Sequence, residues 1–213
     1  MSPRYSQGWD NYYDRFHREI IGVVPACAKC VLSVGCSAGA SESELIKRGV
    51  KVVGIEINPT AAAIARQRGL IVLEGDASKI DISEVNEFFD CLIYGDVLEH
   101  LPDPASVLIQ HVTRLLPDGI VYVSVPNFRR YSVFWQLFIR GRINYMGGGI
   151  LDQTHLRITT RKMVEQWFDS AGIRVVDCRY IIHGMIDKLA SACLLGFAKE
   201  FVAYQICLVG RKH

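Results

Sequence analysis

Four short apolar runs recur at nearly even spacing in the first half of the chain, over residues 31–34, 52–57, 70–73 and 91–94. Each is too short for a buried helix and the right length for a strand buried on both faces. Helical stretches lie between them. Leu45 and Ile46 belong to one that stops at Gly49, while Asn58 and Pro59 supply an N-cap and an N1 proline for the next, which Gly69 closes. Asp103 and Pro104 open a third, carrying Val107, Leu108, Val112 and Leu115, which Pro117 ends before a strand over 120–125. Strands that alternate with helices predict a parallel sheet with right-handed crossovers and helices on both faces.

At 213 residues and 50% hydrophobic, the chain can bury the core of a single domain, expected over 1–213. Upstream, Trp9, Tyr12, Tyr13, Phe16 and Ile20 repeat every three or four residues and predict an amphipathic helix over the sheet. Downstream, residues 128–159 break the pattern with aromatics, Arg129, Arg130, Arg140, Arg142 and a triple glycine at 147–149, and are expected to form an inserted lid with a flexible joint. Thr160 then caps a helix carrying Met163, Val164, Trp167 and Phe168, and strands follow over 175–182 and 204–209. Between those strands Met185, Leu189, Cys193, Phe197 and Phe201 repeat every four residues, a stripe that either packs on the sheet or a second copy, or touches a membrane surface.

A net charge of +2 is too small for wholesale nucleic-acid wrapping, so no nucleic-acid partner is expected. Seven cysteines, an odd number within apolar segments, suit reduced thiols. With no apolar run of about 18 residues and no basic leader, a cytoplasmic location is expected.

In an open parallel sheet, ligands bind beyond the carboxyl ends of the strands. After the first strand, Gly35-Cys36-Ser37-Ala38-Gly39 is a small-residue turn that lets main chain approach a ligand. Glu56 ends the second strand, where a carboxylate can accept both hydroxyls of a ribose; Asp76 and Asp96 follow the third and fourth. Three acids at successive strand ends form a constellation.

These motifs, residues 31–39, Gly54-Ile55-Glu56-Ile57, Glu74-Gly75-Asp76-Ala77 and Asp96-Val97-Leu98-Glu99-His100-Leu101-Pro102, resemble in order those of class I S-adenosylmethionine-dependent methyltransferases. The resemblance implies a Rossmann-like, doubly wound sheet of seven strands, mostly parallel with the last antiparallel, in three αβα layers. It also implies S-adenosylmethionine as donor and S-adenosylhomocysteine as product. Gly35, Ser37 and Gly39 would lie on the methionine part, Glu56 on the ribose, and Asp76 and Ala77 on the adenine; Cys36, Ile57 and Asp96 complete the expected donor site. Two departures stand out: Ser33 replaces the family's usual acid, and Ser37 a usual glycine.

A second resemblance covers residues 125–176, with Arg130-Tyr131-Ser132, the run from Leu151 to Arg157, and Phe201-Val202-Ala203-Tyr204-Gln205. It is to methyltransferases associated with glycosyltransferases of cell-surface polysaccharides, and more distantly to a methionine-biosynthesis methyltransferase-like protein. It implies a small-molecule or saccharide acceptor.

Several residues carry competing readings. Gly35 to Gly39 also fits the G-x-S-x-G elbow of a serine hydrolase, with Asp152 or Asp177 and His155 or His183 as partners, but too few strands precede it. A nicotinamide dehydrogenase would share Glu56 and want one more glycine in the turn. Cys27 and Cys30 form a C-x-x-C pair that nothing completes. Asp96, Glu99 and His100 offer cation ligands, yet no metal is expected, Glu99 and His100 being read as capping and loop groups. His155 is read either as a general base oriented by Asp152, with His100 as the other candidate base, or as a tie between lid and sheet. The four arginines are either a phosphate site or a solvated face. The expected activity is O-methylation, the alternative a donor-binding regulator without turnover.

Overall fold

The computed structural model describes residues 13–14, 16–182, 184 and 199–212. Its seven strands are β1 (Cys30–Val34), β2 (Lys51–Glu56), β3 (Ile71–Glu74), β4 (Phe89–Gly95), β5 (Leu115–Pro126), β6 (Ile173–Ile181) and β7 (Gln205–Lys212). They form one sheet in the order β3-β2-β1-β4-β5-β7-β6. The first five run parallel, and β7 pairs antiparallel with both β5 and β6. The resemblance implied this architecture, down to the reversed last strand.

The helices are α1 (Arg18–Val23), α2 (Glu42–Lys47), α3 (Pro59–Gln67), α4 (Pro104–Val112), α5 (Tyr131–Phe134), α6 (Arg161–Ser170) and α7 (Lys199–Val202). Side chains alternate across a strand, so β1 sends Leu32 and Val34 to one face and Val31 to the other. The first face packs α4 and α6 through Leu108, Val164 and Phe168; the second packs α1, α2 and α3 through Ile20, Leu45 and Ala65. Caps start the helices where expected: Asn58 Oδ1 accepts from Thr60 N and Ala61 N, Asp103 Oδ1 from Ser106 N, and Thr160 Oγ1 from Met163 N.

Two expectations need correction. Leu115 is not helical: α4 ends at Val112 and β5 already begins at Leu115. Pro117 has no N–H for the ladder, so 116–119 bulges, with Asp118 at φ 60°, and regular pairing resumes at Cys91↔Ile120. The described amphipathic helix starts only at Arg18, leaving Phe16 exposed outside it, while Trp9 and Tyr12 lie outside the described residues. The stripe from Met185 to Phe197 also lies outside them, and Phe201 stands exposed on α7. No helix among the described residues is long and apolar enough to cross a membrane.

Candidate active site

Strand order reverses between β1 and β4, which leave the sheet centre with their following loops turned to opposite faces. At this switch point the turn after β1 is built by three constraints. Gly35 N and Cys36 N donate to Ile55 O of β2 at 2.8 and 3.2 Å. Gly35 has φ 68°, and a Cβ there would stand 2.2 Å from Val97 Cγ2, in the loop after β4. Ser37 also takes left-handed backbone, at φ 51°, so the serine that replaces glycine bears the expected steric cost.

Glu56 closes the turn. Its Oε2 accepts Ser37 N and its Oε1 accepts Asn58 N, both at 2.8 Å, so one carboxylate bridges the loops after β1 and β2. It is only 4% exposed, and burial raises its pKa against the pull of these N–H groups. Ser33 Oγ donates to Glu42 Oε1 at 2.7 Å, both buried, so a carboxylate absent at position 33 reaches the turn from α2. Sequence reasoning missed Glu42; the signal was an acid at the inward start of a helix beside an acid-less strand.

The β2 and β3 ends meet in register, Glu56↔Glu74, and Gly75 N donates to Glu56 O at 2.9 Å. Asp76 therefore sits on the same edge as Glu56. Its Oδ1 accepts Ser78 Oγ and Ser78 N at 2.7 and 2.9 Å, which hold its pKa below the usual range. Ala77 turns into the core beside it. Ile57 projects outward, 68% exposed, whereas the Cys36 side chain packs down onto Gly54, where a Cβ would be 2.5 Å from Cys36 Sγ. Of Cys36, the main chain alone faces the turn.

Asp96 follows β4 at φ 53°, a non-glycine left-handed residue of the kind that collects at functional sites. Its Oδ1 accepts Gln205 Nε2 at 2.5 Å and Ser124 Oγ at 3.4 Å, which anchors it to β7 and β5. Beyond it, Glu99 and His100 lie in a 3₁₀ turn, Leu98–His100, and meet His155. The rings of His100 and His155 are 4.8 Å apart, and His155 Nε2 is 4.0 Å from Glu99 Oε1.

His155 Nδ1 lies 3.0 Å from Ile150 O. A carbonyl only accepts, so Nδ1 carries the proton and the Nε2 lone pair faces the cluster. Burial, then His100, lower the pKa of His155, which favours the neutral ring. The orienting group is Ile150 O and not Asp152 as expected; Asp152 Oδ1 instead accepts Thr154 N and Oγ1 at 2.8 and 2.7 Å. Main chain fastens the segment as well: Leu156 N and Arg157 N both donate to Glu99 O, at 2.9 and 3.0 Å, beside the contact of the His155 and His100 rings.

Other readings find no support in this geometry. No histidine ring hydrogen-bonds Ser37 among the described residues, and His183 lies outside them. Cys30 is buried and Cys27 exposed, both free.

Residues 12–177 match the family described as "Methyltransferase domain", more than half of the chain. A ubiquinone biosynthesis O-methyltransferase of Nitrosococcus oceani is 34% identical over 120 residues, 54% of this chain and 48% of that protein. One from Nitrosomonas europaea is 36% identical over 117 residues, covering 51% and 46%. The chain thus spans about half the length of the curated relatives it matches. Among solved structures, a SAM-dependent methyltransferase from Archaeoglobus fulgidus superposes at TM-score 0.68 with 16% identity, over 92% of this chain and 90% of that one. The N-methyltransferase NodS from Bradyrhizobium japonicum, crystallised with S-adenosyl-L-homocysteine, gives TM-score 0.62 with 17% identity, over 97% and 92%. With the strand order 3-2-1-4-5-7-6, the turn at Gly35 and the acids on successive strand ends already in place, the chain belongs to the methyltransferase domain family and is a class I S-adenosylmethionine-dependent methyltransferase domain.

Proposed function

We propose that the protein methylates a hydroxyl of a small-molecule or saccharide acceptor, with residues 128–159 as lid and His155 as general base. The observation that carries this reading is the His155 ring itself, fixed as the Nδ1–H tautomer by Ile150 O with its Nε2 lone pair turned toward the Glu99–His100 turn.

The residues present fit the donor. From Ser37 to Ala40 no side chain exceeds a hydroxymethyl group, which leaves main chain open to a ligand, and Glu56 stands beside it. When bound, the donor supplies a sulfonium methyl group that leaves with the carbon–sulfur bond pair going to sulfur. Gly35, Ser37 and Gly39 would hold the amino-acid part, Glu56 would accept from the ribose with its remaining lone pairs, and Asp76 and Ala77 would border the adenine. Cys36 would contribute main chain, Ile57 would cover one side and Asp96 would complete the β4 edge. Nε2 of His155 would take the proton of the acceptor hydroxyl, with His100 as the second candidate base. The chain's task is alignment and exclusion of water.

The experiment is release of S-adenosylhomocysteine over a panel of nucleotide-sugar, oligosaccharide and phenolic acceptors. The second resemblance favours the saccharides, whereas the curated relatives are named as O-methyltransferases of ubiquinone biosynthesis, which the phenolic acceptors represent in the panel. His155→Gln is expected to lower kcat about 10²–10⁴-fold with donor affinity by calorimetry unchanged. Donor binding without turnover on any acceptor would favour the regulator.

One observation favours a second reading. Glu99 Oε2 is buried without a hydrogen-bond partner among the described residues, and Glu99, His100 and His155 offer ligand atoms within 4.8 Å of one another, a donor set suited to a divalent ion. His155 would then be a ligand rather than a base. Activity lost on dialysis against chelator and restored by a divalent metal would establish that reading; activity indifferent to chelator would exclude it.

A further inference from the structure

The lid carries a surface that the described residues leave uncovered. After α5 the chain continues as a π turn, Trp135–Ile139, in which no residue is buried. Phe134, Trp135, Leu137, Phe138 and Ile139 are 46–67% exposed, and Tyr145 joins them at 66%. The segment is nevertheless anchored: Val133 packs on Ile150 and Leu151, so the aromatics face outward from a built support. Phe134 and Phe138 stack on each other at 4.6 Å and form one contiguous apolar face. A patch of this kind on a monomer marks an interaction surface, since its apolar area gains nothing from the protein's own core.

Charge selects the occupant. From residue 128 to 151 the chain has four arginines and no aspartate or glutamate. Arg129 is paired with Glu200, but Arg140 and Arg142, beside the apolar turn, are exposed and form no ion pair among the described residues. A second copy would bring the same two cations against these, an unfavourable match for a self-complementary face. A bilayer surface with anionic headgroups matches both features: aromatic and aliphatic side chains enter the headgroup boundary while the guanidinium groups stay with the phosphates.

We infer that residues 134–146 dock the protein on anionic membrane surfaces. The patch lies on the connection that leaves the carboxyl end of β5 and returns to the turn after β4 at Glu99, so docking sets the site's edge beside the bilayer. The inference is independent of which acceptor is methylated.

The test is co-sedimentation of the full chain with vesicles of phosphatidylcholine alone or with about a third phosphatidylglycerol. The expected result is at least about tenfold tighter association with the anionic vesicles, weakened by salt. Trp135→Ser with Phe138→Ser, which removes two side chains that are more than half exposed, should abolish association with little change in Tm. Arg140→Glu with Arg142→Glu should remove the preference for phosphatidylglycerol. Equal or absent binding to the two vesicle types by the unaltered protein overturns the inference. So does association undiminished in the Trp135 and Phe138 variant, or a concentration-dependent dimer in size exclusion that this variant dissolves.

Discussion

Gly35→Ala tests the contact on which the site's geometry depends. The added Cβ would lie 2.2 Å from Val97 Cγ2, closer than any real contact, in backbone at φ 68°. Left-handed backbone costs a residue with a Cβ about 1–2 kcal/mol. Forcing a methyl into a packed contact costs about 1–3 kcal/mol more, so the variant should lose about 2–5 kcal/mol of unfolding free energy. Only the second share involves Val97. Val97→Ala alone removes half-buried methyls and should cost about 1 kcal/mol, but in the double variant it opens the space the new Cβ needs. Urea unfolding of the four proteins at 25 °C should then show the double variant about 1–3 kcal/mol more stable than the sum of the single losses. Additivity within about 0.5 kcal/mol would refute the reasoning, because the loops after β1 and β4 would not touch. Donor affinity should follow the same coupling.

Further expectations follow from single residues. Glu56→Gln places an amide N–H against one of the two main-chain donors that the carboxylate now accepts, and should weaken donor binding by calorimetry about 10–100-fold, from one charge-assisted bond of about 1.5–3 kcal/mol; unchanged affinity would remove Glu56 from the donor site. His111 is buried with Nδ1 2.9 Å from the Tyr94 hydroxyl, and burial lowers its pKa to about 4. The unfolded chain takes up this proton below its ordinary value of 6.5 while the folded one does not, so stability falls as pH drops from 6.5 to about 4, by about 3 kcal/mol at most from this group. Identical stability–pH slopes for the parent and a His111→Asn variant would exclude it as the source. Phe168 is fully buried between α6 and the sheet, and Phe168→Ala should cost about 3–5 kcal/mol in chemical denaturation; a loss below about 1 kcal/mol would mean the site collapses without a cavity.

The sequence by itself determined the order of strands and helices, the caps at Asn58, Asp103 and Thr160, and the strand-end acids Glu56, Asp76 and Asp96, because these follow from local periodicity and from main-chain hydrogen bonding within a few residues. The bulge at Pro117 was half legible: proline announced a break, but whether the chain ended a helix or kinked a strand depended on β4. Tertiary structure alone decided the rest. The bond between Ser33 and Glu42, the contact of Gly35 with Val97, and the hold of Gln205 on Asp96 join residues 9, 62 and 109 positions apart, set by how layers pack. His155 shows the same division: its chemistry was readable, but the choice of Ile150 O over Asp152 as its partner was not, since neighbouring acceptors compete for one ring proton and only the folded loop's geometry selects the winner.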